Sequence, residues 1–171
     1  PMTQQNHLEH WLAQERDILA ALDAGPGPGV ATREQIAHLN GLQQMQAMLR
    51  GELPYAAIAK TLDFLIVEVD DGKAVFQGTP RPEHLNPMGT VHGGWFATLL
   101  DSALGCAVHT RMPPGRAYTT AELSVNIVRA LTPVAGKFDK HDEHFENEQY
   151  VVTSAVGHLV EIQAPEEFDV K

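Results

Sequence analysis

VHGGWFATLLDSALGCAVHT, residues 91–110, decides the fold. Phe96, Leu99, Leu100, Ala103, Leu104, Ala107 and Val108 recur at helical spacing and form one broad apolar stripe, which predicts a helix buried on at least one side. Its start, His92-Gly93-Gly94, places no bulky side chain over the free N–H groups at the positive end of the helix dipole, a place suited to a negative oxygen. At about 100° per residue, Asp101 falls on the face opposite the stripe, beside Gly94, Thr98 and Gly105. A carboxylate therefore stands among small residues that let another molecule approach the helix closely. Gly93 and Asp101 are separated by about 12 Å along the axis. One carbonyl group cannot touch both groups of the same helix. If both act on one molecule, the second comes from another subunit, and a two-fold dimer builds two such composite sites.

Upstream, TPRPEHLNPMG (79–89) holds Pro80, Pro82 and Pro87 and reads as a stiff loop rather than regular structure. Before it, LDFLIVEV (62–69) and KAVFQGT (73–79) are β-rich runs joined through Asp70-Asp71-Gly72, a hairpin signal. Further back lie two helices. Leu8, Trp11, Leu12, Ile18, Leu19 and Leu22 give an amphipathic helix over 3–23, broken by GPGPG at 25–29. Thr32 with Gln35 forms a capping box for a second helix, expected to run to about Arg50, with Gly51 placed to end it.

Downstream, MPPG at 112–115 closes the central helix. AYTTAELSVNIVRAL (117–131) alternates Ala121, Leu123, Val125 and Ile127 with Thr120, Glu122, Ser124 and Asn126, the pattern of a strand with one buried face. Helices, hairpin, buried helix and long strand in that order predict an α+β fold with an antiparallel sheet wrapped on one central helix.

The 171 residues suit one domain with a real core. No apolar run is long enough for a membrane span, and PMTQQNHLEHWLAQE shows no signal-peptide pattern. The single cysteine, Cys106, forbids an intrachain disulfide and fits a cytoplasmic protein; its place near the apolar stripe reads as packing. A net charge of -10 argues against nucleic acid as a partner. The acid is concentrated in residues 137–171, which carry three lysines against nine Asp or Glu. His141 and His144 lie among acidic residues there, but their spacing fits no strong metal motif and no metal site is expected.

HLNPMGTVHGGWFATLLDSALG resembles the signature of hotdog-fold thioesterases, especially those of the phenylacetate-pathway type: Asn, five residues, His-Gly-Gly, then a helical acid. Asn86, His92, Gly93 and Asp101 match it position by position, and the resemblance covers about 41–130, including the lead-in GLQQMQAMLRGELPYAAIAKTLDF. It implies a hotdog fold that hydrolyses acyl-CoA or aryl-CoA thioesters. Under it, the Gly93 N–H polarises the thioester carbonyl and Asp101 either activates water or attacks directly. Asn86 positions the carbonyl or the water, and His92 holds the loop to the helix start. Thr120, in the family-like strand TTAELSVN, orients the water or the carboxylate, though a one-residue slip would exchange it for Thr119. Gly94 and Thr98 line the substrate's approach. No cofactor is implied beyond the coenzyme A of the substrate, and the partner is a second copy of the chain, as homodimer or homotetramer, with no membrane. An Asp-x4-His pattern, which would favour a hydratase, is absent, since Cys106 stands there.

Residues 1–50 thus read as an N-terminal helical extension, 51–136 as the hotdog domain and 137–171 as an atypical tail. That tail resembles a Toprim-region fragment of bacterial type IA DNA topoisomerases, which points to a gene fusion, yet it is too short for such an enzyme and shows no acidic Asp-x-Asp pair. Its YVVTSAV and HLVEIQ have strand character and are expected at the sheet edge, with an irregular loop from Gly136 to Gln149. If the altered end spoils the site, the chain is a non-catalytic acyl-CoA binder or an inactive fusion product.

Overall fold

The computed structural model describes residues 4–127, 130 and 151–156. Helix α1 (Gln4–Ala24) is followed by α2 (Arg33–Ile36), α3 (Gly41–Leu49) and α4 (Ala57–Leu62). Strands β1 (Phe64–Asp70) and β2 (Lys73–Gly78) form the hairpin, a short 3-10 turn covers Pro82–His84, α5 (Gly93–His109) is the long central helix, and β3 is Val151–Val156. The sheet is antiparallel in the order β1-β2-β3. This is an α+β hotdog arrangement, with the long helix against one face of an antiparallel sheet.

The hairpin turns at Asp71-Gly72, with Gly72 at φ 70 as the tight turn needs. The chain after α5 clamps this turn. Thr110 Oγ1 accepts the Gly72 N–H at 2.8 Å, and Arg111 reaches the Asp71 carboxylate at 3.2 and 3.3 Å. The clamp fixes the C-terminal end of α5 against the sheet.

Both faces of the hairpin are covered, which is why LDFLIVEV reads as a nearly unbroken apolar run. Phe64, Ile66, Ala74 and Phe76 pack with Trp95, Leu99, Ala103 and Ala107 of α5. Leu65, Val67 and Val75 face the other way and meet Ile18 of α1. The register slips between Ile66 and Glu68, so Val67 is the extra residue of a β-bulge. The bulge lets Glu68 point to solvent and returns Val69 to the helix side, and the Val67 carbonyl accepts from Gln14 Nε2 at 3.2 Å. Gln77 is fully buried under α1, donating to the Trp11 carbonyl at 2.8 Å and to Glu15 Oε2 at 3.2 Å. The N-terminal helix is thus the outer cover of the sheet.

Three expectations need correction. The helix expected from Thr32 to Arg50 is two helices. A second capping box, Asn40 with Gln43, starts α3, and Gly41 explains the break: a Cβ there would lie 1.6 Å from the His109 carbonyl oxygen, and the Gly41 N–H donates to the Met112 carbonyl at 2.8 Å. The chain must turn to let α3 begin against the end of α5. The apolar stripe of α5 is also narrower than its sequence suggests. Trp95, Leu99, Ala103 and Ala107 are buried, Phe96, Leu100 and Val108 are partly covered, and Leu104 is exposed.

The third correction concerns 117–131. Residues 117–127 form no strand; they are mostly exposed and lie along α5 instead. Alternation supplies a strand's side-chain pattern, but a strand also needs a partner for its N–H and C=O groups. Among the described residues the open edge of β2 is taken by β3, with Gly78 opposite Val151 and Lys73 opposite Val156. VVTSAV at 151–156 is accordingly β-structure at the sheet edge, and its partner is β2. HLVEIQ, the loop at 136–149 and with it His141 and His144 lie outside the described residues.

Candidate functional site

The entrance to α5 is built by the loop before it. Asn86 organises the turn 86–90: its Oδ1 accepts the N–H groups of Met88 (2.9 Å) and Thr90 (3.2 Å), and its Nδ2 donates to Thr90 Oγ1 at 2.7 Å. Among the described residues the second hydrogen of the amide has no acceptor. The Leu85–Val91 bridge and the His92 N–H bond to the His84 carbonyl (2.8 Å) return the chain to the helix start. His84 is buried, its Nδ1 accepting the Arg81 N–H at 3.0 Å, and its ring lies 6.0 Å from that of Trp95.

His92 is the N-cap of α5, extended at φ -63 and ψ 133, and its Nδ1 accepts the Gly94 N–H at 2.9 Å. That bond takes one of the free donors at the helix end and leaves the N–H of Gly93, the first helical residue, directed out of the helix. Above it, a Cβ on Gly93 would lie 3.1 Å from Ile127 Cδ1. Thr98 turns its hydroxyl back to the Gly94 carbonyl (2.8 Å), and Ser102 does the same to Thr98 (2.9 Å). Neither hydroxyl hydrogen is available to a bound molecule in this arrangement.

Asp101 is half-exposed, and its Oδ1 accepts the Thr120 hydroxyl at 2.8 Å. Of the two adjacent threonines, then, Thr120 is the one at the carboxylate. Five residues further along the helix, Cys106 is partly covered, and burial, with the Asp101 charge adding to it, pushes its thiol up to about 12. It stays a protonated thiol and is no nucleophile near neutral pH. Tyr118 lies over Gly105, where a Cβ would come 2.6 Å from its hydroxyl, and its ring is 5.8 Å from that of His109. Burial, then the charges of Cys106 and Asp101, raise the Tyr118 phenol above its ordinary value. His109 Nε2 donates to Gln44 Oε1 at 3.1 Å, and the ring is held below its ordinary value by burial.

Residues 118–127 therefore form a strap along the small-residue face of α5, touching it at Gly105, Asp101 and Gly93. The structure brings Asp101 and Thr120 together, and His92 with Gly94. It shows no hydrogen bond from Asn86 to either group among the described residues. Tyr118 and Ile127 were missed as neighbours of the site by sequence reasoning. The i, i+2 spacing of Tyr118 and Thr120 against the i, i+4 spacing of Gly105 and Asp101 was the available signal. Among the described residues no group of three His, Cys, Asp or Glu is placed to hold a metal ion, and no helix is long and apolar enough to cross a membrane.

Residues 88–133 match the Thioesterase superfamily. No curated protein matches the chain. Among solved structures, a phenylacetic acid degradation-related protein of Ralstonia eutropha is 31% identical over 51% of this chain and 67% of its own, at a TM-score of 0.48. The E. coli PaaI protein of the phenylacetic acid degradation operon is 27% identical over 57% of this chain and 64% of its own, at 0.45. A variant of the phenylacetic acid degradation protein PaaI of Thermus thermophilus is 38% identical over 33% of this chain and 49% of its own, at 0.32. The chain thus spans between about half and two thirds of these proteins, and its fold rests on its own sheet and helix. Over residues 88–133, from the loop before α5 through Asp101 and Thr120, it carries the pattern of the thioesterase superfamily.

Proposed function

We propose that this chain hydrolyses acyl-CoA thioesters, with Asp101 as the carboxylate at the reacting carbon. The observation that carries this reading is the Thr120–Asp101 hydrogen bond within the segment that matches the superfamily. A hydroxyl donating to one carboxylate oxygen leaves the other lone pairs to accept a proton or to attack. In the water route, Asp101 takes a proton as the water oxygen bonds to the thioester carbon. The tetrahedral oxyanion collapses, the C–S bond breaks, and the proton leaves with the coenzyme A thiol, giving a free acid. In the nucleophilic route the carboxylate itself bonds to the thioester carbon, the C–S bond breaks to release the coenzyme A thiolate and leave an anhydride, and water then cleaves the anhydride to the free acid and Asp101, its proton matching the one the thiolate takes up.

The Gly93 N–H is the proposed oxyanion donor. Since it lies about 12 Å from Asp101 along one helix, the donor that serves Asp101 belongs to a second copy of the chain. His92 supports this end by occupying the Gly94 N–H, and Asn86 acts by holding the turn that delivers the helix start. Gly94 and Thr98 provide close approach rather than hydroxyl chemistry. The reaction needs no cofactor beyond the coenzyme A of the substrate.

One observation favours a second reading, an acyl-CoA binder without turnover: the Ile127 side chain packs against Gly93, the residue whose N–H is the proposed oxyanion donor. Release of free thiol from short, long and aromatic acyl-CoA substrates, measured beside their affinities, separates the two. Turnover supports the hydrolase. Binding of intact thioesters with no release supports the binder, and neither result with any substrate defeats both.

A further inference from the structure

The strap places one large side chain beside Asp101 for which the proposed reaction has no use. Tyr118 is 38% exposed, and the tip of its ring is pressed on the helix at Gly105: a Cβ there would meet Tyr118 Oη at 2.6 Å, Cε2 at 3.2 Å and Cζ at 3.3 Å. Only glycine admits the ring this close. Gly105 follows Asp101 by one turn, about 6 Å along the same face. Two further features fix the ring's place. Thr120, two residues on and therefore on the same side of an extended chain, is tied to Asp101, and the His109 ring lies 5.8 Å from the Tyr118 ring.

The two directions leaving Asp101 along this face differ. Toward the helix start lie Thr98 and Gly94, with Ser102 beside them, flanked by hydroxyls and an exposed helix end. Toward the helix end the surface is the Tyr118 ring over Gly105, and the partly covered Cys106 and Val108 come next along the helix. An apolar chain bonded to a carbonyl at Asp101 gains by lying toward the second. We propose that Tyr118 is the specificity-determining residue of the site, a wall one helical turn beyond Asp101 that restricts the acyl group to short chains. This rests on the thioesterase reading above and adds the substrate class to it. The ring, seated by Gly105 and held by His109, sets the limit, and the hydroxyl does not.

The experiment compares kcat/KM for butyryl-CoA and decanoyl-CoA in the full-length chain, wild type against Tyr118→Ala, Tyr118→Val and Tyr118→Phe, each checked for retained fold by its circular dichroism and melting. Wild type is expected to favour butyryl-CoA. Removing the ring is expected to raise the decanoyl-to-butyryl ratio by about tenfold in Tyr118→Ala, with Tyr118→Val part-way, and Tyr118→Phe should hold the wild-type ratio within about threefold. A wild type that prefers decanoyl-CoA, or a Tyr118→Val profile that superposes on wild type, overturns the proposal; the latter leaves the thioesterase reading standing. If wild type releases no thiol from either compound, that reading fails and calorimetric affinities for the same two thioesters decide. A gain of about tenfold for decanoyl-CoA on losing the ring would keep Tyr118 as the wall of a binding site; no gain would remove it.

Discussion

Thr120 Oγ1 donates to Asp101 Oδ1 at 2.8 Å, and this bond joins the central helix to a segment that forms no part of the sheet. The carboxylate is oriented by a residue 19 positions later in the chain, from a strap that follows the helix face. The bond restrains the rotation of Asp101 and directs its free lone pairs. Losing the donor should therefore slow the chemistry without removing it. Thr120→Val, which keeps the shape and drops the hydroxyl, is expected to lower kcat about tenfold with KM little changed, whereas Thr119→Val, on an exposed neighbour, should match wild type. Equal effects at both positions would show that the hydroxyl at Asp101 does not matter.

Asp101 itself is a stronger test. Asp101→Asn preserves size and still accepts from Thr120, but it can neither take a proton from water nor attack as an anion. Turnover should fall by about two orders of magnitude or more with fold and assembly unchanged. Thiol release on the best substrate, together with sedimentation, checks both halves; near-normal turnover would remove Asp101 from the mechanism.

The separation of Gly93 and Asp101 predicts complementation. Gly93 is the first residue of α5, where proline is tolerated, and His92 before it already has the extended backbone that a following proline requires. Gly93→Pro should thus delete the one N–H and leave the helix. Alone, Gly93→Pro and Asp101→Asn chains should each be inactive. In a hybrid dimer one of the two sites holds both native groups, so an equimolar re-assembled mixture, about half of it hybrid, should recover about a quarter of wild-type activity. Confirmed hybrids without recovery would count against a site shared between two chains.

How much of this was legible follows from what each element depends on. The α5 helix, its start and the hairpin turn were readable because periodicity, Gly-Gly after His92 and Asp-Gly are local signals, whereas the His92 cap on the Gly94 N–H was not. The two-sided burial of β1 was readable only as an apolar run, since its cause is the packing of α1 on the outer face. The break at Asn40 depends on Gly41 meeting His109, a contact between residues far apart in sequence. The strap was misread because alternation at 121–127 fixes which side chains share a face and says nothing about which backbone is free to pair. Thr120 was placed at Asp101 by resemblance, while Tyr118, two residues earlier, carries no motif.

Glu15 gives a pH-dependent prediction for the docking of α1. Burial raises its carboxyl above the ordinary 4.5; the Gln77 hydrogen bond opposes this, and the Asp63 charge adds to it. A folded pKa above the unfolded one means that the folded chain holds the proton more tightly. Its stabilising effect is therefore present at low pH and is lost as pH rises from the ordinary value through the raised one. Glu15→Gln, still an acceptor for Gln77, should raise the melting temperature at pH 7 by about 1–2 °C. The difference should vanish near pH 4. A gain of equal size at both pH values would assign it to something other than ionisation.

The last prediction concerns β3. Val151–Val156 lies on β2 in antiparallel register, Phe76 opposite Thr153 and Val75 opposite Ser154. This gives the N–H and C=O groups on the free side of β2 partners that residues 117–127 do not supply. Pairing on one side protects alternate amides of a strand, so exchange across 151–156 should be slowed at every second position relative to the unprotected chain. The matching amides of β2 should slow with them. Thr153→Pro, opposite Phe76, should erase that pattern in both strands while leaving β1–β2 exchange unaltered. Ending the chain at residue 150 is a harsher version: it bares the edge of β2, and the shortened protein should self-associate with rising concentration where the full chain does not. Uniformly fast exchange over 151–156 in the full chain would show that β2 is an open edge and would shift the expectation from a closed sheet to one that pairs with another molecule.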